Sequence, residues 1–340
     1  MLKKIILPTI AYLFLVASFI SLLPIWIGDL FSHFRMFWTV FSFIFLIAYF
    51  FLAKEKSYQS SFACLLFALL INLYGSFSFW TNTKTYKHLF LGSPDKVEIS
   101  KKIEQRITND TTTKSLLLMN VLSSNTNYEE VKRTIKNTDA DFVVILELNE
   151  KWETELEQLT STYPYQSKNA RENNFGIGFY SKNKIDAFEV YAKIAEENQL
   201  LDAKLKDNLI GLEIGGLDKN LKVMITHPIP PVSRRAYHLR NSELTHFSKR
   251  AAKFTNQKLL LVGDFNSSPF SADYKNFLAK SNLKDSQENF GFQPTWNSSF
   301  PFLMQTQLDH VWHSEDIEIL HRQTLPIVGS DHKAVYVVFR

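Results

Sequence analysis

The chain has 340 residues, with 38 Lys and Arg, 34 Asp and Glu, and a formal net charge of +4 at pH 7. This length is enough for two domains. The single cysteine, Cys64, lies in a hydrophobic run, which excludes an intrachain disulfide, and a cysteine nucleophile or thiolate metal site elsewhere in the chain.

The first quarter of the chain contains three apolar runs, at 6–27, 36–53 and 62–80. Each is close to the roughly 20 residues that a helix needs to cross a bilayer. Tryptophans stand at the run ends, as is typical of membrane interfaces: Trp26, Trp38 and Trp80. A cleaved signal peptide is the alternative for the first run, but "LLPIWIGD" offers no small-residue cleavage site. The pattern predicts that residues 1–80 are a membrane anchor of three transmembrane helices.

Basic residues in the short connections predict the orientation of this anchor. Lys3 and Lys4 precede the first run and Lys54 and Lys56 fill the second connection, which favours a cytoplasmic N-terminus. Three crossings then place the rest of the chain outside. We expect a multi-pass protein of the cytoplasmic (inner) membrane with an extracytoplasmic domain, although Lys84 and Lys87 weigh against this side.

Beyond residue 90 the chain carries 31 Lys and Arg against 32 Asp and Glu. The excess positive charge therefore belongs to the N-terminal segment. A nearly neutral domain gives no support for the basic surface that nucleic-acid binding requires.

Residues 81–114 are polar and turn-rich, which predicts a linker with one short helix at 97–107. From residue 115, strands in "SLLLMNV" and "DFVVILEL" alternate with helices in "NYEEVKRTIKN" and "NEKWETELEQLTS". Two hairpins follow, around "KNK" and "GGLDKN". A helix at 235–255, the strand "KLLLVGDFN", a helix at 271–278 and strands at 308–312 and 334–339 complete the chain. The alternation predicts one α/β domain, 115–340, with two sheets packed face to face and helices outside.

The buried strand of "KLLLVGDFNSSP" ends in two polar residues, Asp264 and Asn266. In an extended chain both point to the same side, and ligands in layered α/β folds gather at strand ends. The alternative is an Asx-type turn that caps the backbone before Pro269.

Other polar residues occupy the same place relative to predicted strands. They are Asn120, Glu147, His227, Asp309, His310, Asp331 and His332. His310 points to the opposite face of its strand from Asp309, so we expect it to be structural. Carboxylates and amides without thiolates suit a hard cation, Mg²⁺ first and Mn²⁺ second.

The motifs "MNV", "VVILELN", "THP", "GDFNSSP", "LDHV" and "GSDHKAV" resemble, in this order, the endonuclease/exonuclease/phosphatase superfamily. "HPIPPVS" followed by Arg240, and "PTW" before "LDHV", resemble a membrane-anchored bacterial branch of it. The resemblance implies a four-layered α/β sandwich, two packed mixed sheets flanked by helices, that hydrolyses a phosphoester with a divalent metal.

Carried over residue by residue, the resemblance implies that Glu147 is the principal Mg²⁺ ligand, with Asn120 beside it and Asp331 assisting. Asn120 would also contact substrate. Arg240, in the run "RRAYHLR", would clamp the substrate phosphate, although the solvated face of a helix is the alternative.

The same resemblance assigns the catalytic roles. Asp309 would orient His332, Asp264 and Asn266 would position the water or the leaving oxygen, and His227 would contact the phosphate or donate a proton. Whether Asp264 or His332 is the general base stays open.

The expected function is a membrane-anchored, divalent-metal-dependent phosphoesterase whose substrate, a small molecule, a lipid or a nucleic acid, is undefined. A Mg²⁺-dependent nuclease is the alternative within this class, and a catalytically silent ligand-binding or scaffolding domain is the alternative outside it. The loop 293–305 is a substrate lid, a membrane-touching loop or ordinary core packing. The sequence indicates no protein partner.

Overall fold

The computed structural model describes residues 2–52, 59–80, 110–185, 187–190, 211–217, 221–254 and 257–340. The predicted linker, except for its last residues, and the helix at 97–107 lie outside these ranges. The N-terminal part is helical, with α1 at Leu2–Ile20, α2 at Trp26–His33, α3 at Arg35–Leu52 and α4 at Gln59–Trp80.

The first apolar run does not form one helix, because α1 ends at Ile20 and a turn containing Pro24 separates it from α2. Among the described residues, one helix is long and apolar enough to cross a membrane, Gln59–Phe77, and a second span exists only if α2 and α3, bent by 66°, count as one. The prediction of three transmembrane helices is therefore not supported. The extracytoplasmic placement was derived from three crossings, and one or two candidate spans do not fix whether the number of crossings is odd, so that placement and the multi-pass topology are not supported either.

The rest of the described chain contains two six-stranded sheets with helices around them. The strands of the first sheet are β1 Lys114–Asn120, β2 Phe142–Leu146, β3 Tyr165–Asn169, β4 Ile177–Ser181, β11 Ile319–Pro326 and β12 Lys333–Phe339. Those of the second are β5 Ala187–Val190, β6 Gly211–Leu217, β7 Leu221–Thr226, β8 Leu259–Asp264, β9 Lys284–Asp285 and β10 Asp309–His313. The first sheet has the order β11-β12-β1-β2-β4-β3 and the second β5-β6-β7-β8-β10-β9.

The two sheets are built to the same plan. Each has one parallel pair at its centre, β1 with β2 and β7 with β8, and each pair is flanked by antiparallel strands. Gly263 permits the close pairing of β7 and β8, because a Cβ there would lie 1.9 Å from the Thr226 carbonyl oxygen. The ends of the four parallel strands, and the beginnings of β10 and β12 beside them, meet at one edge of the sandwich.

The core lies between the sheets and on their outer faces. The inner cluster joins strands of both sheets, for example Leu118 and Val144 with Val223 and Val262. Four helices cover the outer faces, α5 at Tyr128–Thr138 and α6 at Glu150–Glu155 on the first sheet, and α7 at Arg234–Ala251 and α8 at Ala272–Ser281 on the second. The expectation of two sheets packed face to face with helices outside is confirmed.

Serine and asparagine side chains begin three of these helices. Asn149, Ser233 and Ser271 each accept a hydrogen bond from the backbone N–H three residues later, which satisfies an otherwise unpaired donor. The sequence predicts that these helices start at 149, 235 and 271, each within one position of the observed first residue.

The predicted hairpin around "KNK" is wrong. Its two strands, β4 and β5, belong to different sheets and pair with β2, β3 and β6 instead. The hairpin around "GGLDKN" is confirmed, since β6 and β7 are antiparallel neighbours. Three strands were not expected from the pattern, β3, β9 and β11, and β3 and β11 are only partly buried.

Candidate active site

Six of the predicted site residues lie at the shared edge of the two sheets. Asn120 and Asp264 end β1 and β8, Asp309 begins β10, and the other three immediately follow or precede a strand, Glu147, His227 and His332. All six are buried. Strand pairing within each sheet and packing of one sheet on the other therefore bring together residues up to 212 positions apart in the chain.

Three donors converge on one oxygen of Asp264. Its Oδ2 lies 3.3 Å from Asn120 Nδ2, 3.5 Å from His227 Nε2 and 3.6 Å from His332 Nε2. These separations are long for hydrogen bonds. Three nitrogens around one anionic oxygen form a group that stabilises negative charge.

The other oxygen of Asp264 closes a turn. Its Oδ1 accepts a 2.9 Å hydrogen bond from the backbone N–H of Asn266, whose φ of 48° is left-handed, and the Asn266 amide donates to the Pro228 carbonyl at 2.9 Å. Strand alternation is therefore not what places Asn266, because β8 ends at Asp264. The carboxylate therefore forms the Asx-type turn that was one alternative from sequence, while its other oxygen faces three polar side chains at the strand ends.

Asp309 and His332 form a buried pair. Asp309 Oδ2 lies 2.8 Å from His332 Nδ1, and its backbone N–H donates to Thr295 Oγ1 at 3.1 Å. Ser330 Oγ accepts from the His332 backbone N–H at 3.0 Å and donates to the Asn120 carbonyl at 2.8 Å, which joins β12 to β1. His332 is thus held from both its ring and its backbone.

The charges around His332 fix its protonation. Burial by itself would lower its pKa, but the carboxylates of Asp309, Asp264 and Asp331 outweigh this and raise it to about 10. Burial would likewise raise the pKa of Asp264, yet the hydrogen bond from His227 and the charge of His332 hold it well below its ordinary range. At neutral pH the structure therefore presents an imidazolium beside a carboxylate.

Glu147 adopts an uncommon backbone conformation at the end of β2. Its φ is 61°, in the left-handed region that a glutamate rarely occupies, and its Oε2 accepts a 3.1 Å hydrogen bond from the Ser123 backbone N–H. Such conformations cost about 1–3 kcal/mol and cluster at functional sites.

The donor set fits a hard divalent cation. Glu147, Asn120 and Asp331 offer oxygen ligands, and the buried Asp309 Oδ1 has no hydrogen-bond partner among the described residues. Ligand atoms of Asp264, Asp309 and His332 lie within 4.8 Å of one another. However, His332 Nδ1 lies 2.8 Å from Asp309 Oδ2, so we interpret these three residues as a row of hydrogen-bonding groups and not as a metal site.

Asp331 is partly committed to a neighbouring loop. Its Oδ2 accepts a 2.8 Å hydrogen bond from Trp296 Nε1, and its carbonyl accepts from the Ser298 N–H at 2.7 Å. The loop 293–305 therefore packs on the site through Trp296, while Phe300 and Phe302 are partly exposed. The "PTW" motif was the sequence signal for this loop, but the contact of its indole with Asp331 was not predicted.

Arg240 does not contact the position expected for substrate. Its side chain is 0% exposed, and its guanidinium bonds Asp29 Oδ2 at 3.0 Å, Asp273 Oδ2 at 3.2 Å and the Asn266 carbonyl. A fully buried guanidinium with these partners has no face for a phosphate. The predicted phosphate clamp is therefore replaced by a contact that supports the Asn266 turn.

His310 has the structural role that its position on the opposite face of β10 predicts. Its Nδ1 faces Asp285 Oδ2 and its Nε2 faces the Ser267 carbonyl, both at 2.9 Å. Gln307 Nε2 also lies 3.0 Å from His310 Nδ1, so both nitrogens of the ring have polar neighbours. The pair lies beneath the 264–268 loop and supports it.

The comparisons with known proteins agree with this geometry. The model of the Endonuclease/Exonuclease/phosphatase family matches residues 117–332, well over half of the chain. A search of the curated proteins found no match.

Similar solved structures share the fold at low sequence identity. D. rerio TDP2 complexed with single-strand DNA product is 15% identical with a TM-score of 0.55, covering 67% of this chain and 99% of its own. An endonuclease/exonuclease/phosphatase family protein from Bacteroides thetaiotaomicron is 16% identical with a TM-score of 0.52, covering 67% and 97%. The human Nocturnin catalytic domain with bound sulfate anion is 15% identical with a TM-score of 0.52, covering 67% and 93%.

Assignment to a membrane-anchored bacterial branch stays a prediction. Membership of the family is established, because the match to the family model spans every strand-end residue described above, from Asn120 to His332. The chain belongs to the endonuclease/exonuclease/phosphatase family.

Proposed function

We propose that this chain is a divalent-metal-dependent phosphoesterase. The observation that carries the proposal is the convergence of Asn120, His227 and His332 on Asp264 Oδ2, with Asp309 behind His332. Three donors around an anionic oxygen are what the nonbridging oxygens of a phosphoester need as charge develops on them.

The two perturbed groups divide the proton work. His332, protonated at neutral pH, supplies positive charge and an Nε2–H donor to a phosphate oxygen. Asp264, ionised, orients the attacking water and accepts its proton. In the free enzyme the donors lower the pKa of Asp264. When phosphate oxygens take these donors the carboxylate becomes a stronger base, so substrate binding itself activates it. This favours Asp264 over His332 as the base.

Glu147, Asn120 and Asp331 would hold the metal, Mg²⁺ or Mn²⁺. Bound there, the ion supplies positive charge that neutralises the phosphate and stabilises the leaving oxygen. Asn120 would use both atoms of its amide, the oxygen Oδ1 for the metal and the nitrogen Nδ2 for the substrate. In the structure, Nδ2 faces Asp264 and Oδ1 accepts a 3.2 Å hydrogen bond from the Leu122 N–H.

The N-terminal helices would hold the enzyme at a membrane. Their outer faces carry large apolar side chains, and Phe50, Phe51 and Tyr74 are 71%, 70% and 86% exposed. Soluble monomers rarely expose continuous apolar surface of this kind. Helix α4 has the length and composition of a span. This supports membrane association through one or two crossings.

Hydrolysis by the full chain in detergent micelles tests the proposal. The substrates are bis(p-nitrophenyl) phosphate and p-nitrophenyl phosphate, each with Mg²⁺, Mn²⁺ or EDTA. Glu147→Gln and His332→Ala should each lower kcat by a factor of 100 or more, the range found when one charge-stabilising group is removed. The matched controls are Glu150→Gln and His238→Ala, because Glu150 and His238 are exposed residues outside the site.

The alternatives give different results. If the domain is catalytically silent, the wild type and Glu147→Gln will show the same background rate of hydrolysis. A nuclease would cleave single-stranded DNA far faster than the nitrophenyl esters, with a steep dependence on salt concentration. Activity that persists in both Glu147→Gln and His332→Ala would refute the proposed site.

A further inference from the structure

The short helix α2 contacts the catalytic domain at two points. Trp26 Nε1 donates a 2.7 Å hydrogen bond to the Pro231 carbonyl, and Asp29 Oδ2 pairs with Arg240 Nη1 at 3.0 Å. Pro231 lies four residues after His227, in the segment that also bonds the Asn266 amide through Pro228. One helix of eight residues therefore reaches both the "HPIPP" segment and helix α7.

Arg240 passes the contact on to the catalytic loop. The same Nη1 that pairs with Asp29 donates to the Asn266 carbonyl. Asn266 has a left-handed φ of 48°, and its N–H is the donor to Asp264 Oδ1. The path from α2 to the site is thus Asp29, Arg240, Asn266 and Asp264, each bonded to the next.

The charges of this path depend on one another. Asp29 is 3% exposed and Arg240 0% exposed, and Asp29 Oδ1 has no hydrogen-bond partner in the described part of the chain. Glu243, also buried beside Arg240, does not supply a counter-charge, because burial raises its pKa well above the ordinary range. Asp29 and the half-buried Asp273 are therefore the carboxylates that offset the buried guanidinium.

A third contact lies at the far end of the same loop. Met36, the second residue of α3, packs with Phe270 and Phe292 in one buried cluster. Phe270 follows the "GDFNSSP" motif directly, and Phe292 packs edge-on against Phe302 of the loop 293–305. The N-terminal helices therefore reach both ends of this loop, Asn266 through Arg240 and Phe270 by direct packing of Met36.

We propose that Asp29 and Trp26 are positioning residues of the active site, acting through Arg240 and Pro231 on the loops that carry Asn266 and His227. The N-terminal segment is then part of the catalytic scaffold as well as an anchor. The kinetic part of this inference rests on the proposed phosphoesterase function, whereas its structural part does not.

Asp29→Asn in the full chain tests the inference, since it keeps the size of the side chain and removes its charge. We expect kcat for bis(p-nitrophenyl) phosphate with Mg²⁺ to fall about tenfold while KM changes less than about twofold, because a misplaced loop loses transition-state contacts rather than ground-state binding. Amide hydrogen exchange of peptides covering 264–270 and 227–232 should become at least tenfold faster.

Two further variants keep the test decisive. Trp26→Phe removes the Nε1–H together with part of the indole ring but keeps an aromatic side chain, and it should speed exchange in 227–232 more than in 264–270. It serves if Asp29→Asn fails to fold. Asn72→Ala is the matched control, because it removes a hydrogen bond between Asn72 and Ser18 inside the helical bundle. It should leave kcat and both peptides unchanged.

The inference is overturned if Asp29→Asn leaves exchange in 264–270 at the wild-type rate. It is also overturned if Asn72→Ala speeds exchange there as much as Asp29→Asn, since the effect would then be loss of bundle stability. If the wild-type chain and Glu147→Gln both fail to hydrolyse the ester, the proposed function fails, and hydrogen exchange still decides the positioning role.

Discussion

Replacement of Asp309 by Asn probes the charge on His332 most directly. Asn keeps the size of the side chain and an oxygen 2.8 Å from Nδ1, but removes the first of the three carboxylates that raise the pKa of His332. An opposite charge in direct contact shifts a pKa by about 1–3. We therefore expect the pKa of His332 to fall by about 2, from about 10 in the wild type.

The size of this change follows from the environment of the ring. The wild-type pKa lies above the ordinary 6.5 although the ring is buried, so the carboxylates contribute about 5 kcal/mol net of burial. A fall of about 2 corresponds to about 3 kcal/mol of that sum. At pH 9 the protonated fraction would drop from about nine-tenths to about one-tenth, roughly a tenfold loss of the active form.

Two measurements check this prediction. The His332 ring resonance, titrated by NMR in EDTA, should show the lower pKa in Asp309→Asn, and the alkaline limb of kcat/KM with Mg²⁺ should move to lower pH. Asp316→Asn, an exposed aspartate just after the same strand, is the control and should match the wild type. A variant whose His332 still titrates near 10 would show that Asp309 does not set the charge of the ring.

Three further predictions concern stability and metal. Asp285→Asn should destabilise the protein by about 3–5 kcal/mol and lower Tm by about 10 °C, because Asp285 Oδ2 accepts hydrogen bonds from Tyr274 and His310 in the core. Thermal unfolding measures this change, with the surface variant Glu315→Gln as the control that should leave Tm unchanged. A loss of stability below about 1 kcal/mol in Asp285→Asn would contradict the prediction. Because its pKa is raised, His332 contributes stability that is complete below about pH 6.5 and is lost as the pH rises through about 10. The free energy of urea unfolding should therefore fall over this pH range in the wild type and fall less in His332→Gln. Equal pH dependence in the two proteins would contradict the prediction. EDTA should abolish hydrolysis and added Mg²⁺ should restore it. Calorimetry should show that the wild type binds Mg²⁺ at least tenfold more tightly than Glu147→Gln does. Equal affinities would show that Glu147 is not a metal ligand.

The edge-of-sheet residues were predictable because the pattern that specifies a strand also specifies where it ends. Asn120 and Asp264 close runs of buried apolar residues in different sheets, and face-to-face packing of the two sheets, which the fold class predicts, brings the two strand ends together. The roles of these residues came from the resemblance of the motifs to a family, and not from periodicity.

The errors have identifiable physical causes. The apolar run 6–27 was interpreted as one helix from its hydropathy alone, which does not report the break after Ile20. Pro24 in the sequence is a signal against a continuous helix. The "KNK" hairpin was inferred from loop length, but this connection lacks the Asn-Gly type of turn that fixes a hairpin, and the chain there changes sheets.

The role of Arg240 was beyond reach from sequence. Its partner Asp29 lies 211 positions away in a segment interpreted as membrane anchor, and no local pattern reports a long-range ion pair. The resemblance of "HPIPPVS" followed by Arg240 to a family branch suggested a phosphate contact for this residue. Burial reverses this interpretation, because a guanidinium with 0% exposure and two carboxylate partners is structural.

The 264–268 loop is held from three directions, which explains how it keeps an unfavourable backbone conformation. Phe265 N–H donates to the Leu308 carbonyl of the segment before β10, His310 bonds the Ser267 carbonyl from below, and Arg240 bonds the Asn266 carbonyl from the side of α2. A left-handed residue persists only where the surroundings over-determine it. Here they fix the turn that orients Asp264, and a carboxylate fixed before substrate arrives costs no reorganisation when charge develops on the phosphate. Of these three partners, Arg240 is the one that is itself paired with a residue outside the sandwich, Asp29 of α2. In the proposed positioning role, the N-terminal helices therefore act on this turn through Arg240.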